Sequence, residues 1–125
     1  MIAISGSPDA LAISRSGRFL YVADVSHNSV VAVNTATHRV RGAVPVGRRP
    51  AALAITRDGR TLYVANNADN TVTPINTVTR SAGTPIPVGS EPDALAITPD
   101  GDYLYVANFG DNTVSQLHID GTDSG

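Results

Sequence analysis

The chain has 125 residues, of which 42% are hydrophobic and 16% charged; its formal net charge is −2 and it has no cysteine. That length suits one domain. The composition excludes disulfides and thiolate metal centres, and it offers nucleic acid or an anionic membrane no bulk attraction. No apolar run approaches the ~20 residues of a membrane-spanning helix.

Taken from the N-terminus, residues 1–13 lack the basic n-region and continuous apolar stretch of a signal peptide. Ile2 and Ile4 then fall in register with Val44 and Val46, and with Ile86 and Val88. The register has a period of 42: Pro8, Pro50 and Pro92 keep it, as do Gly17, Gly59 and Gly101, and Tyr21, Tyr63 and Tyr105. No insertion interrupts it, so the chain is three copies of one unit.

Each unit predicts four short strands. ALAI, starting at Ala10, Ala52 and Ala94, is the first. The turns RSGR, RDGR and PDGD follow, where glycine takes a positive φ cheaply. FLYVAD, TLYVAN and YLYVAN form the second strand. Polar loops ending in Asn28, Asn70 and Asn112 lead to SVVAVN, TVTPIN and TVSQLHI as the third. RGAVPV and GTPIPV, rich in glycine and proline, suit an outer fourth strand. Four antiparallel strands about every 40 residues predict an all-β fold, a β-propeller of four-stranded blades. The continuous runs LYVA and ALAI fit strands covered on both faces. A parallel β-solenoid is the competing repeat fold, with shorter coils and no hairpin turns.

The stretches PDALAITPDGDYLYVANFGDNTV (92 to 114) and PAALAITRDGRTLYVANNADNTVTPINTVT (50 to 79) resemble the YVTN β-propeller repeats. The likeness covers nearly the whole chain. It departs from the family pattern at Asp24, where asparagine is expected. The resemblance implies a secreted, periplasmic or cell-surface scaffold, with some members binding protein or nucleic acid.

Propellers carry about 4 to 8 blades, and this chain encodes three. Residues 1–5 read as a fourth strand without its own blade, 6–47 as blade 1, 48–89 as blade 2, and 90–120 as blade 3 without a fourth strand. Residues 121–125 read as a tail. The expected partner is a second copy, whose residues 1–5 complete blade 3 and close a six-bladed homodimer by strand exchange. A fragment of a longer propeller is the alternative.

Candidate binding residues lie in the fourth-to-first and second-to-third loops, where the copies differ: Asp24, His27, Arg48, Arg49, Glu91, Asp93 and Phe109. Arg48 and Arg49 could clamp a carboxylate or phosphate, or stand solvated or paired with Glu91. Asp9 and Asp93 could cap local amides or form an acidic ring. Phe109 could stack on a ring or pack. Asp24, Ser26 and His27 match a Ser-His-Asp set by residue type, although neighbours on a short loop are not expected to give triad geometry. His27, His38 and His118 occupy unrelated blade positions, so no metal site and no cofactor are predicted.

The leading expectation is a non-enzymatic scaffold that engages a protein or small-molecule ligand through these loops. The alternatives are a lactonase-like propeller hydrolase, to which the repeats look similar, and single-stranded nucleic-acid binding. The net charge and the scarcity of phenylalanine argue against the last.

Overall fold

The computed structural model describes residues 1–119, so Asp120 and the expected tail lie outside the described residues. Blade 1 comprises β1 (Pro8–Ile13), β2 (Phe19–Asp24), β3 (Ser29–Asn34) and β4 (Val40–Pro45), in antiparallel order β1-β2-β3-β4. Blade 2 comprises β5 (Pro50–Ile55), β6 (Thr61–Asn66), β7 (Thr71–Asn76), and the two short strands β8 (Ser81–Ala82) and β9 (Ile86–Pro87). Blade 3 is β10 (Pro92–Ile97), β11 (Tyr103–Asn108) and β12 (Thr113–His118). The four-stranded antiparallel propeller blade is therefore the repeating unit, as the period predicts.

Two elements differ in detail from the sequence pattern. The first strands begin at the proline rather than two residues later. Pro8 pairs with Asp24 across a β-bulge, and Pro50 with Asn66 and Pro92 with Asn108 do the same. The fourth strand of blade 2 is broken. β8 pairs with one end of β7 (Ile75↔Ala82) and β9 with the other (Val72↔Ile86). Between them Pro85 lacks a ladder donor, and the Gly83 N–H turns to the Pro74 carbonyl at 2.7 Å.

Successive side chains of a strand point to opposite faces, so each second strand feeds two seams. In β6, Leu62 and Val64 enter the core between blades 1 and 2, with Tyr21, Val30, Ala32 and Ile75. Tyr63, from the same strand, packs on the opposite side, with Val72, Ile86, Leu104, Val106 and Leu117. Leu62, Val64, Leu104 and Val106 are fully buried, each burial contributing roughly 1.5–3 kcal/mol. Residues 1–4 form no ladder, yet Ile2 and Ile4 pack on Val22, Val31 and Val33 of blade 1. That is the place Val44 and Val46 take beside blade 2.

Hydrogen bonds at one end of the blades fix the loops. Asn66 is fully buried. Its Oδ1 accepts from the Gly47 N–H at 3.1 Å, and its Nδ2 donates to Thr71 Oγ1 (3.2 Å) and Thr73 Oγ1 (2.7 Å). A Cβ on Gly47 would lie 2.7 Å from Asn66 Cγ, so the close approach requires glycine. Asn28 and Asn70 take left-handed φ of 50° and 58° and reach across a seam. They accept from the Arg49 N–H (3.2 Å) and the Glu91 N–H (2.9 Å) of the next loop. These asparagines are structural: Asn28 and Asn70 clasp the neighbouring loop. Asn66→Ala strands the Gly47 N–H and two threonine hydroxyls; unfolding in urea should show a loss of about 2 kcal/mol, within the range for buried groups left unsatisfied.

Candidate functional site

The fourth-to-first and second-to-third loops meet at one end of the chain, through bonds such as Val25 N–H to the Ser7 carbonyl (3.0 Å) and Asn67 N–H to the Arg49 carbonyl (2.9 Å). The copies diverge most in blade 1. Where blades 2 and 3 have Asn66 and Asn108, blade 1 has Asp24. Where they have Asp69 and Asp111, it has His27; where they have Thr73 and Ser115, it has Val31. The three changes are chemically linked. A carboxylate cannot donate to the hydroxyls that Asn66 and Asn108 hold, and Val31 offers no oxygen to receive such a bond.

Asp24 is instead an acceptor hub. It is 3% exposed and caps the 3₁₀ turn Val25–His27. Its Oδ1 accepts from the Ser7 N–H (2.9 Å), the Ser26 N–H (3.1 Å) and the Ser26 hydroxyl (2.9 Å). Its Oδ2 lies 2.8 Å from His27 Nδ1. Burial alone raises the Asp24 pKa, but the bonds from Ser7, His27 and Ser26 outweigh it and lower the value to about 2. Asp24 is therefore a carboxylate at ordinary pH, so His27 Nδ1 carries the proton and donates it. The imidazole is 58% exposed, and Nε2 makes no bond among the described residues.

The sequence-based expectation that these neighbours would not form a triad holds in one respect and fails in another. The 3₁₀ turn does bring Asp24, Ser26 and His27 into mutual contact. However, Ser26 Oγ sits 3.2 Å from Nδ1, the nitrogen already facing Asp24. A serine nucleophile must face the other nitrogen. The cluster is an Asp–His pair that orients one ring, and Ser26 helps to hold the carboxylate.

This ring borders a groove of ≈ 410 Å³ between residues 4–5 and the outer half of blade 1, with Ile4, Ser5, Ser29, Val31 and Gly42 among its walls. The cavity of ≈ 90 Å³ between blades 1 and 2, lined by Tyr21, Val30, Leu62 and Ile75, is a packing void away from the loops.

The other candidates separate into committed and uncommitted groups. Arg48 pairs with Asp69 (Nε–Oδ1 2.6 Å; N–H to Oδ2 2.8 Å), not with Glu91. The Arg48 backbone N–H, then its side chain, lowers the Asp69 pKa. Arg49 and Glu91 hold positive φ of 55° each, their N–H groups clasped as described and their side chains exposed. Asp93, like Asp9, lies at a β-bulge and is exposed; neither carboxylate caps a local amide. Phe109 is 71% exposed, with only its backbone N–H tied, to the Glu91 carbonyl at 3.1 Å. His118 stacks on Tyr103 with ring centroids 5.1 Å apart. Among the described residues no group of three or more His, Cys, Asp or Glu could hold a metal ion. No helix among them is long and apolar enough to cross a membrane.

The low pKa of Asp24 makes its contribution to stability pH-dependent. The contribution is fully present above the unfolded value near 3.8 and is lost as pH falls through about 2. Chemical unfolding at pH 5 and pH 2 should show the chain losing about 2 kcal/mol more than Asp24→Asn does across that interval.

The chain is similar to known β-propeller proteins. The family model "Lactonase, 7-bladed beta-propeller" matches residues 4–84. No curated protein matches the chain. Kuenenia stuttgartiensis hydrazine synthase superposes with a TM-score of 0.88 at 30% identity, over 95% of this chain and 34% of that one. A Bacteroides fragilis protein provisionally assigned as 6-phosphogluconolactonase gives 0.82 at 21%, over 99% and 38%. The β-propeller domain of Myceliophteria thermophila Cps50 (Swd1) gives 0.82 at 19%, over 95% and 38%. The chain thus spans little more than a third of these structures. The fold is a β-propeller in every comparison with a named architecture, and the family match extends over well beyond half of the sequence: this chain belongs to the seven-bladed β-propeller lactonase family.

Proposed function

We propose that the groove beside His27 binds a lactone and hydrolyses it, with His27 as general base. The observation that carries this reading is the Asp24–His27 pair. Its Nδ1–H is fixed on a buried carboxylate (2.8 Å), which leaves Nε2 as an oriented, solvent-facing proton acceptor. Membership of the lactonase family supports lactone hydrolysis as the reaction class, and the fold neighbour provisionally assigned as 6-phosphogluconolactonase favours a sugar lactone within it.

In this mechanism Nε2 takes a proton from water as the water oxygen attacks the lactone carbonyl carbon. The ring C–O bond then breaks, and the imidazolium returns its proton to the departing alkoxide. The product is an open hydroxy acid, and no other reactant is needed. Asp24 stabilises the imidazolium that forms between the two steps and keeps the tautomer correct. Arg49, anchored on Asn28 next to His27, carries a guanidinium with no bond among the described residues. It suits a product carboxylate or a phosphate on the sugar. Arg48 does not, because Asp69 already holds it.

A second reading, a binding scaffold without turnover, has its own support. Arg48, Asp69, Asn28 and Asn70 all serve to hold loops, which leaves few polar groups for chemistry. Hydrolysis of glucono-δ-lactone and its 6-phosphate, followed in a weakly buffered indicator assay with spontaneous opening subtracted, separates the two. Under the hydrolase reading His27→Gln lowers kcat about 100-fold or more with little change in KM, Asp24→Asn lowers it less, and Ser26→Ala leaves it near wild type. Lactone binding without turnover supports the scaffold instead. Full activity in His27→Gln removes His27 from the chemistry.

A further inference from the structure

The charges of blades 1 and 2 are sorted by end. The first-to-second and third-to-fourth turns meet opposite the candidate site, where the Thr35 N–H donates to the Arg18 carbonyl (3.0 Å) and the Thr77 N–H to the Arg60 carbonyl (2.9 Å). The first-to-second turns carry Arg15, Arg18, Arg57 and Arg60. Arg39 and Arg80 stand in the third-to-fourth turns, and Arg41 follows as the unpaired residue of a bulge in β4. These are seven of the chain's nine arginines, all exposed, and Asp58 is the one carboxylate set among them. Both ion pairs found among the described residues, Asp24–His27 and Arg48–Asp69, lie at the other end. The net charge of −2 conceals this separation, so the lack of bulk attraction to an anionic surface does not extend to this face.

The fold does not require these arginines. Blade 3 has Pro99 and Asp102 where blade 1 has Arg15 and Arg18 and blade 2 has Arg57 and Arg60. Blade 2 is flanked on both sides, so the exposure of Arg57, Arg60 and Arg80 belongs to the face itself. The backbone of the turns is already committed. The Gly17 and Gly59 N–H groups bond the Ser14 and Thr56 carbonyls at 2.9 Å. Asn34 Oδ1 accepts from the Ala36 and Thr37 N–H groups, and Asn76 Oδ1 from those of Val78 and Thr79. A partner therefore finds no strand edge to pair with at these turns. It finds no stacking platform in Phe19 either, because the Arg80 guanidinium lies over that ring, 5.5 Å from its centroid. Among the described residues, Arg57 alone of the seven uses its guanidinium in a hydrogen bond, to the Pro99 carbonyl at 2.6 Å. The face presents cations on flexible stems, with Val78 at the tip of a turn, 77% exposed.

We propose that this face docks on an anionic lipid bilayer. Headgroups in a fluid bilayer offer many negative charges at no fixed positions, and exposed guanidiniums meet them without a preformed cleft. Val78 adds a shallow apolar contact at the headgroup boundary. The face suits a single-stranded nucleic acid less well, for want of a ring on which a base can stack. It suits an extended acidic peptide less well, for want of an edge to pair with. Docking in this orientation turns the loops around His27 away from the bilayer, toward water. The proposal is independent of the lactonase reading, since no arginine of this face lines the groove beside His27.

Co-sedimentation of the 125-residue chain with vesicles tests it. The chain should bind vesicles of phosphatidylcholine with about 30% phosphatidylserine, and not vesicles of phosphatidylcholine alone. Raising the salt from about 0.05 M to about 0.5 M should release it, because screening shortens the reach of exposed charges. Arg39→Ser combined with Arg41→Ser should weaken binding about 25-fold, at about fivefold for each arginine near the surface. Arg18→Glu combined with Arg60→Glu should weaken it further, and Asp102 at the equivalent place in blade 3 shows that the turn accepts an acid. Arg49→Glu, a reversal at the other end and at a φ that Glu91 also adopts, should bind like the wild type. No binding to the anionic vesicles at low salt overturns the proposal. So does equal binding to both kinds of vesicle, or an equal loss in Arg49→Glu. Tighter binding to a single-stranded oligonucleotide than to the anionic vesicles also overturns it and assigns the face to nucleic acid.

Discussion

Each second strand of this protein is apolar on both faces, so no blade can be satisfied by one neighbour. Leu62 and Val64 need blade 1, and Tyr63 needs blade 3. This demand explains why LYVA and ALAI do not alternate with polar residues and why the unit recurs without a change of length. It also explains why the same side chains are buried in the middle of the chain and exposed at its ends. The hydrophobic effect here acts across seams rather than toward a centre. A blade carries half of two cores and the whole of none.

Burying both faces leaves the loops at the blade ends as the place for polar chemistry, and most of that chemistry is already committed to holding the loops. Asn66 shows the ordinary use: one side chain serves three partners and tolerates only glycine opposite. Blade 1 gives up that arrangement. Asp24 takes over the loop-holding bond through Ser7, and Val31 removes the hydroxyl that an amide would have needed. Position 27 no longer has to accept a backbone N–H as Asp69 does. The imidazole freed by that exchange is the group with a spare, directed lone pair. Function in this reading comes from a repeat that changed its hydrogen bonding at three positions together.

Much of the fold was legible in the sequence because it is written three times. Prolines and glycines at a fixed step located the turns, and the apolar runs located the central strands. The fourth strand of blade 2 was less legible, since Pro85 interrupts a ladder that an apolar pattern alone would continue. The site was legible as a set of differing residues but not as a geometry. Nothing in the order Asp-Val-Ser-His announces that a 3₁₀ turn will place the third side chain on the same nitrogen as the first. The partner of Arg48 was hidden for a similar reason. That partner, Asp69, is 21 residues away and meets it only because two loops share one end of the blade. The cue was available in the alignment of copies, where Asp69 and Asp111 stand in equivalent places and His27 does not.

The β-bulges at the start of β1, β5 and β10 have an evolutionary consequence. Each removes one residue from the ladder on the innermost strand, at Asp9, Ala51 and Asp93. The register resumes on the next residue in all three copies, and two copies carry an exposed carboxylate where the third carries a methyl. The inner rim can therefore drift in charge and size with little effect on packing. The fold keeps its selectable variation in a ring of positions that stability does not police.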